Sequence, residues 1–144
     1  MRIASCRCGG LVARCEGDPL RVSVCHCLEC QRRTGSAFAV QARFRKDLVT
    51  LEGSHMRWER IGESGEKATY FFCPTCGSTV FYENEVLPDV VAIPVGAFAD
   101  PDFPVPQRSI FERRQHQWVQ VTGKAIEHHL GDEAEAGCED RTYT

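Results

Sequence analysis

Hydrophobic residues recur at every second position in several short segments of the chain. This alternation is clearest at Leu11, Ala13 and Cys15, and again at Phe38, Val40, Ala42 and Phe44. A period of two residues is typical of a half-buried strand. Further short segments of this kind are Leu20 to Val24, Met56 to Ile61, Lys67 to Phe72, Thr79 to Tyr82, Val90 to Val95 and Trp118 to Val121. The pattern therefore predicts an all-β chain of mainly antiparallel strands.

Helical periodicity is confined to one segment, Leu28 to Thr34, which predicts one or two helical turns. Five aromatic residues are interpreted as core residues, because large apolar side chains are usually buried. They are Trp58, Phe71, Phe72, Phe111 and Trp118. With its short helical turns, the chain fits a fold of antiparallel sheets better than a helical bundle.

The length of the chain predicts one domain followed by a short tail. Residues 1–130 are long enough to enclose a single core. Residues 131–144 hold five acidic residues and few apolar ones, so we expect an acidic, flexible tail. Cys138 lies in this tail and is not expected to be a ligand.

Composition and charge exclude several classes of protein. Hydrophobic residues make up 42% of the chain and charged residues 26%, as in ordinary globular domains. No apolar run approaches the roughly 20 residues that span a bilayer, and no secretion signal opens the chain, so we expect a cytoplasmic protein without a membrane partner. A net charge of -3 disfavours a nucleic-acid partner.

Nine cysteines in closely spaced sets indicate metal binding in such a protein, because thiols stay reduced in the cytosol. Cys6 and Cys8 precede two glycines, and Cys73 and Cys76 flank Pro74 and Thr75. Two short turns of this kind supply four thiolates, the usual ligand set of a structural zinc ion. This set predicts a closed Zn2+ site.

A second set, Cys25, Cys27 and Cys30, supplies three sulfurs within six residues. Three protein ligands leave one zinc coordination position open, as in catalytic sites. A zinc ion with three thiolates suits a thiol substrate better than activated water. The alternative is a second structural site closed by His26, Cys15 or another side chain. We interpret Cys15 as an ordinary buried thiol on a strand.

Three motifs together resemble the glutathione-dependent formaldehyde-activating (GFA) family, also called the centromere protein V domain family. The motifs are Cys6-Arg7-Cys8-Gly9-Gly10, the segment from Cys25 to Gly35 that begins Cys-His-Cys-Leu-Glu-Cys, and Phe72-Cys73-Pro74-Thr75-Cys76-Gly77-Ser78. Their order and spacing are similar to the family's over roughly Ile3 to Val121. The resemblance implies the Mss4-like fold of folded-over antiparallel sheets.

The resemblance also implies a role for each matching cysteine. Cys6, Cys8, Cys73 and Cys76 would hold a structural zinc ion, and Cys25, Cys27 and Cys30 a catalytic one. The implied activity is that of a carbon–sulfur lyase, in which a zinc-bound thiol attacks an aldehyde. The reference reaction joins formaldehyde to glutathione and gives S-(hydroxymethyl)glutathione.

Four further residues are candidates for binding or proton transfer. Arg32, Arg33 or Arg113 would meet the carboxylates of glutathione, which suit bidentate arginine contacts. His26 would carry the proton. The alternative reading of the chain is a non-catalytic zinc module that binds a protein partner.

Overall fold

The structure is a computed structural model and describes residues 1–62 and 65–131. The tail predicted for residues 131–144, with Cys138, lies outside the described residues except for Gly131. Within the described residues no helix is long and apolar enough to span a membrane.

The described chain is mainly β-structure, with 42% in strands and 13% in helical turns, and antiparallel pairing dominates. The all-β, mainly antiparallel prediction is therefore confirmed. The strands are β1 (Arg2–Ser5), β2 (Leu11–Cys15), β3 (Arg21–Cys25), β4 (Ala39–Arg45), β5 (Val49–Gly53), β6 (Met56–Ile61), β7 (Lys67–Phe72), β8 (Thr79–Asn84), β9 (Val90–Pro94), β10 (Arg108–Ile110) and β11 (Glu127–His128). One α-helix, α1 (Leu28–Thr34), and 3-10 turns at Lys46–Leu48, Val95–Phe98 and Glu112–Arg114 complete the described elements.

The chain forms two compact units. The first contains Met1–Leu20 and Ala42–Phe103, and the second contains Arg21–Gln41 and Pro104–Thr144. The single domain expected over residues 1–130 stays a prediction.

The first unit contains two sets of antiparallel strands. β2 pairs with β1 on one side and with β5 on the other. β6, β7, β8 and β9 follow one another as antiparallel neighbours, with a bulge between Phe71 and Phe72. The predicted alternation in β2 is confirmed, because Leu11, Ala13 and Cys15 are fully buried.

The second unit is built around parallel pairing. β10 lies parallel to β3, with Ile110 opposite Cys25, and parallel to β11. Its core contains the three cysteines of the second set together with Ala39, Ile110 and Phe111. This pairing places a distant segment of the chain beside the residues that follow β3.

Two predictions about aromatic and strand residues are wrong. Trp118 to Val121 is a turn and loop, in which the amide of Val119 donates to the carbonyl of His116 at 3.0 Å. No strand pairs with this segment in the described chain, so its apolar pattern alone does not make a strand. Trp118 is 74% exposed and Trp58 is 58% exposed, so neither is a core residue. Phe111 is buried as expected.

Candidate metal centres

The first unit brings the four predicted sulfurs together. The Sγ atoms of Cys6, Cys8, Cys73 and Cys76 all lie within 4.8 Å of one another. The two short turns that carry them come from distant parts of the sequence, one between β1 and β2 and the other between β7 and β8. Gly77 follows the second turn at φ 78°, and its amide donates to the carbonyl of Cys73 at 2.8 Å. Glycine adopts this left-handed conformation at little cost, so the sequence favours the turn.

The spacing of these sulfurs fits a tetrahedral metal ion. Four sulfurs at about 2.3 Å from a common centre lie about 3.8 Å from one another in a tetrahedron. The Sγ atoms of Cys6 and Cys8 are 3.7 Å apart, and those of Cys8 and Cys73 are 3.6 Å apart. A disulfide needs about 2.05 Å, so these cysteines are free thiols. The four residues therefore form a set that can hold a metal ion.

Each of the four sulfurs has a hydrogen-bond partner outside the set. The amide of Leu11 donates to Cys6 Sγ at 3.2 Å, and that of Thr75 donates to Cys73 Sγ at 3.4 Å. Hydrogen bonds with the side chain and backbone of Ser78 lower the pKa of Cys76 to about 5. Backbone hydrogen bonds also lower the pKa of Cys73, so two of the four cysteines favour the thiolate, which is the form that binds metal.

The pKa of Cys8 is raised by the other sulfurs of the set. A hydrogen bond from the amide of Gly10 lowers its pKa, but the neighbouring sulfurs outweigh that effect and raise the pKa to about 11. Thiolates crowded together repel one another. A cation among them removes this repulsion, so the sulfur chemistry itself fits a bound metal ion.

The second unit brings Cys25, Cys27 and Cys30 together, with their sulfurs also within 4.8 Å of one another. Cys25 ends β3, and Cys27 caps the N-terminus of α1, where its Sγ accepts the amide of Cys30 at 3.2 Å. All three are buried, with exposures of 6% or less. A strand that ends as a helix begins thus places three sulfurs on one side of the chain. This set can also hold a metal ion.

The predicted alternative ligands are not part of this three-cysteine set. Among the described residues, neither Cys15 nor His26 has its ligand atom within the group of sulfurs. Cys15 is fully buried on β2, and burial raises its pKa to about 11, as expected of an ordinary core thiol. His26 is fully buried, and its Nε2 lies 2.9 Å from Ser109 Oγ.

His26 also anchors the cysteine segment through its backbone. Its amide donates to the carbonyl of Ile110 at 3.1 Å, and its carbonyl accepts from Gln31 Nε2 at 2.8 Å. Burial lowers the pKa of the His26 ring, and its Nδ1 has no hydrogen-bond partner among the described residues. The proton-carrying role expected for His26 stays a prediction.

The candidate arginines lie in the same unit as the three-cysteine set. Arg32 and Arg33 occupy the last turn of α1, and Arg113 lies in the 3-10 turn after β10. The Arg32 side chain is 81% exposed, with Glu29 at 3.9 Å. Arg113 Nε donates to the carbonyl of Gly131 at 2.9 Å.

Sequence reasoning missed the residues that support the second set. Ser109 follows from the pairing of β10 with β3, and Gln31 joins His26 to the carbonyl of Arg114 at 3.1 Å. Nothing in the three-residue strand Arg108–Ile110 marks it as a partner of a strand so far away in sequence. Only Gln31 had a local signal, since it follows Cys30 directly.

Comparison with known proteins agrees with this geometry. Residues 1–114 match the family model described as glutathione-dependent formaldehyde-activating enzyme. A crystal structure of a Rhodobacter sphaeroides protein is similar, with a TM-score of 0.55 and 21% identity, over 69% of this chain and 91% of that chain. At this identity the likeness concerns the fold. Among curated protein sequences, none is significantly similar to the chain.

Proposed function

The chain belongs to the glutathione-dependent formaldehyde-activating family, and from this we propose that it is a zinc-dependent carbon–sulfur lyase. The substrates are a small thiol, glutathione in the reference reaction, and an aldehyde such as formaldehyde. In the forward direction the thiol sulfur forms a bond with the carbonyl carbon and the carbon–oxygen π bond breaks. The proton of the thiol ends on the new hydroxyl group.

The observation that carries the proposal is the difference between the two cysteine sets. Four sulfurs complete a tetrahedron, whereas three leave one position for another ligand. We assign the structural zinc ion to Cys6, Cys8, Cys73 and Cys76, and the catalytic one to Cys25, Cys27 and Cys30. A zinc ion in the three-cysteine set would supply a Lewis acid that lowers the pKa of an incoming thiol.

Residues around the three-cysteine set exclude water from the sulfurs, fix the backbone and supply positive charge. Ile110 and Phe111 pack with the three cysteines and keep water away from the sulfurs. The hydrogen bonds of His26 to β10 and to Gln31 fix the backbone between Cys25 and Cys27. Arg32, Arg33 and Arg113 supply positive charge in the same unit, which suits the carboxylates of glutathione.

Cys27→Ser tests the proposal, because serine keeps one role of Cys27 and removes the other. Serine is a favoured N-cap residue, so α1 keeps its cap, while the thiolate ligand is lost. We expect the zinc-loaded protein to speed exchange between glutathione, formaldehyde and S-(hydroxymethyl)glutathione, measured by NMR exchange spectroscopy. We expect Cys27→Ser to lose this acceleration and keep the circular dichroism spectrum of the parent protein.

Cys15→Ala is the matched control, since Cys15 is a buried cysteine outside both sets. It should keep the rate of the parent protein. Full activity in Cys27→Ser would contradict the proposal. A parent protein that binds zinc at both sets and leaves the spontaneous exchange rate unchanged would favour the non-catalytic zinc module instead.

A further inference from the structure

Strand β6 is an edge strand that the described chain leaves open. It pairs with β7 along one side and is the last strand of its sheet among the described residues. Its apolar side chains are exposed, with Met56 at 55%, Trp58 at 58% and Ile61 at 66%. An edge strand exposes unpaired amides and carbonyls, which are a template for pairing with another strand. Proteins block such an edge with proline, a bulge or charged side chains; β6 has no proline or bulge, and its charges are of both signs.

The two faces of β6 differ in chemistry. Because side chains alternate, Met56, Trp58 and Arg60 lie on one face and Arg57, Glu59 and Ile61 on the other. On the first face Trp58 is opposite Tyr70, which is opposite Tyr82. The ring centroids are 6.2 Å apart in the first pair and 5.2 Å apart in the second. These rings form an aromatic row that ends at the open edge.

On the second face, opposite charges flank the position of Trp58. Arg57 precedes it and Glu59 follows it. Glu59 Oε2 lies 3.6 Å from Lys67 Nζ, and both side chains are partly exposed. Arg57 is exposed and has no ion-pair partner within residues 1–62 and 65–131. A strand with this charge order is complementary to an antiparallel copy of itself.

We propose that β6 pairs antiparallel with β6 of a second copy of this chain, with the two-fold axis at Trp58. In this register Arg57 of each copy lies opposite Glu59 of the other, and Met56 lies opposite Arg60. Directly opposed unlike charges stabilise an antiparallel pair. The two aromatic rows meet at Trp58 and continue from one sheet into the other, since aromatic cross-strand pairs are favourable.

The charges exclude the neighbouring registers. Directly opposed residues of an antiparallel pair share one face of the sheet. The two-fold axis must therefore lie between the two copies of one β6 residue, which are opposite each other. An axis at Arg57 or Arg60 places two arginines opposite each other, and an axis at Glu59 places two glutamates opposite each other. Like charges directly opposite are destabilising. The axis at Trp58 gives two Arg–Glu pairs and five paired residues in each strand.

The test uses two charge reversals in the full chain. Arg57→Glu and Glu59→Arg each place like charges opposite each other in both pairs of the symmetric dimer. We expect the parent protein to sediment at twice the 16.2 kDa of one chain at micromolar concentration. We expect the dissociation constant of each variant to rise by about tenfold or more. Arg57→Glu is the cleaner change, because it leaves the Lys67–Glu59 pair in place.

An equal mixture of the two variants restores the complementarity. The glutamate introduced at position 57 of one variant then lies opposite the arginine introduced at position 59 of the other. The unchanged Glu59 of the first variant lies opposite the unchanged Arg57 of the second. We expect the mixture to form a mixed dimer with the affinity of the parent protein, which two misfolded variants would not do. Lys124→Glu makes the same charge change as Arg57→Glu at an exposed position outside β6 and should leave the dimer unchanged.

Three outcomes would overturn the proposal. One is a parent protein that stays monomeric. This includes a monomer in which hydrogen exchange shows that another part of the chain protects the β6 amides. Another is a dimer that both charge reversals leave intact. The third is a pair of monomeric variants that do not associate when mixed.

Discussion

Single residues around the three-cysteine set form a chain of hydrogen bonds that ends at the surface. Ser109 Oγ is hydrogen-bonded to His26 Nε2 at 2.9 Å and also to Glu112. Glu112 Oε1 accepts from His128 Nδ1 at 2.6 Å. Because an ionised carboxylate only accepts, Ser109 donates to Glu112 and must accept from His26. The proton of the His26 ring is therefore on Nε2.

The charge of Glu112 contributes stability that depends on pH. Burial acts to raise the pKa of Glu112, but hydrogen bonds from His128 and Ser109 outweigh it and lower the pKa below its usual 4.5. A carboxyl with a lower pKa in the folded chain stabilises it fully above the unfolded pKa. This contribution is lost as the pH falls through the folded pKa.

Glu112→Gln keeps the size of this side chain and removes its charge. We expect the free energy of unfolding to fall by about 1–2 kcal/mol near neutral pH. The difference from the parent protein should shrink as the pH falls below about 4.5. Urea unfolding at several pH values measures it, with Glu16→Gln at an exposed carboxyl as the control. A difference that stays constant down to acid pH would contradict this reading of the network.

At the scale of elements, two glycines with left-handed backbones end two different elements. Gly53 ends β5 at φ 103° opposite Leu11, and Gly35 caps α1 at φ 70°. A Cβ added at Gly53 would overlap the carbonyl oxygen of Gly10, whereas a Cβ at Gly35 would meet nothing within 4 Å. The two positions thus share a conformation and differ in packing.

Alanine at these two glycines separates backbone conformation from steric overlap. We expect Gly35→Ala to cost about 1 kcal/mol, because alanine disfavours the left-handed region. Gly53→Ala should cost at least about 3 kcal/mol, because β5 must also move away from β2. Chemical unfolding of both variants gives the comparison. If both variants lost the same free energy of unfolding, the close approach of β5 to Gly10 would not limit the size of the side chain at position 53.

The elements also show how far the sequence predicts the structure. The buried alternation in β2 and the helical turns of α1 could be predicted, because each has its own local period. Trp118 to Val121 has a similar apolar pattern but no partner strand in the described chain, and strands need partners to form. β10 has only three residues, so its pairing with β3 depends on tertiary contacts that no local pattern contains.

The same distinction holds for the two cysteine sets. Sequence spacing predicted which cysteines lie together, because each short motif brings its own sulfurs close. It did not predict that Ser109 reaches His26, since these residues are 83 positions apart. The grouping of the sulfurs could therefore be predicted from the sequence, and the residues that surround them could not.

At the scale of the whole molecule, each compact unit contains one cysteine set. The four-cysteine set lies in the first unit and joins segments 65 residues apart in sequence. The three-cysteine set lies in the second unit within a single short segment. A metal ion in the first set therefore links distant parts of the chain, and one in the second set does not.

Removing one ligand from each set should consequently have unequal effects on stability. We expect two zinc ions in the parent protein and one in either Cys73→Ser or Cys30→Ser, by elemental analysis. We expect Cys73→Ser to lower the free energy of unfolding by about 3 kcal/mol or more, because it releases the two turns from each other. Cys30→Ser should cost about 1–2 kcal/mol. Equal losses, or one zinc ion in the parent protein, would contradict this assignment.

The parallel pairing of β3 with β10 has a consequence for the order of synthesis. His26 leaves the ribosome 83 residues before Ser109. At roughly 5–20 residues per second, that interval lasts about 4–17 s. Throughout it Ile110 and Phe111, which cover the three cysteines in the finished protein, have not left the ribosome. The nascent chain therefore exposes three closely spaced thiols to cellular metal ions and oxidants before the fold can protect them.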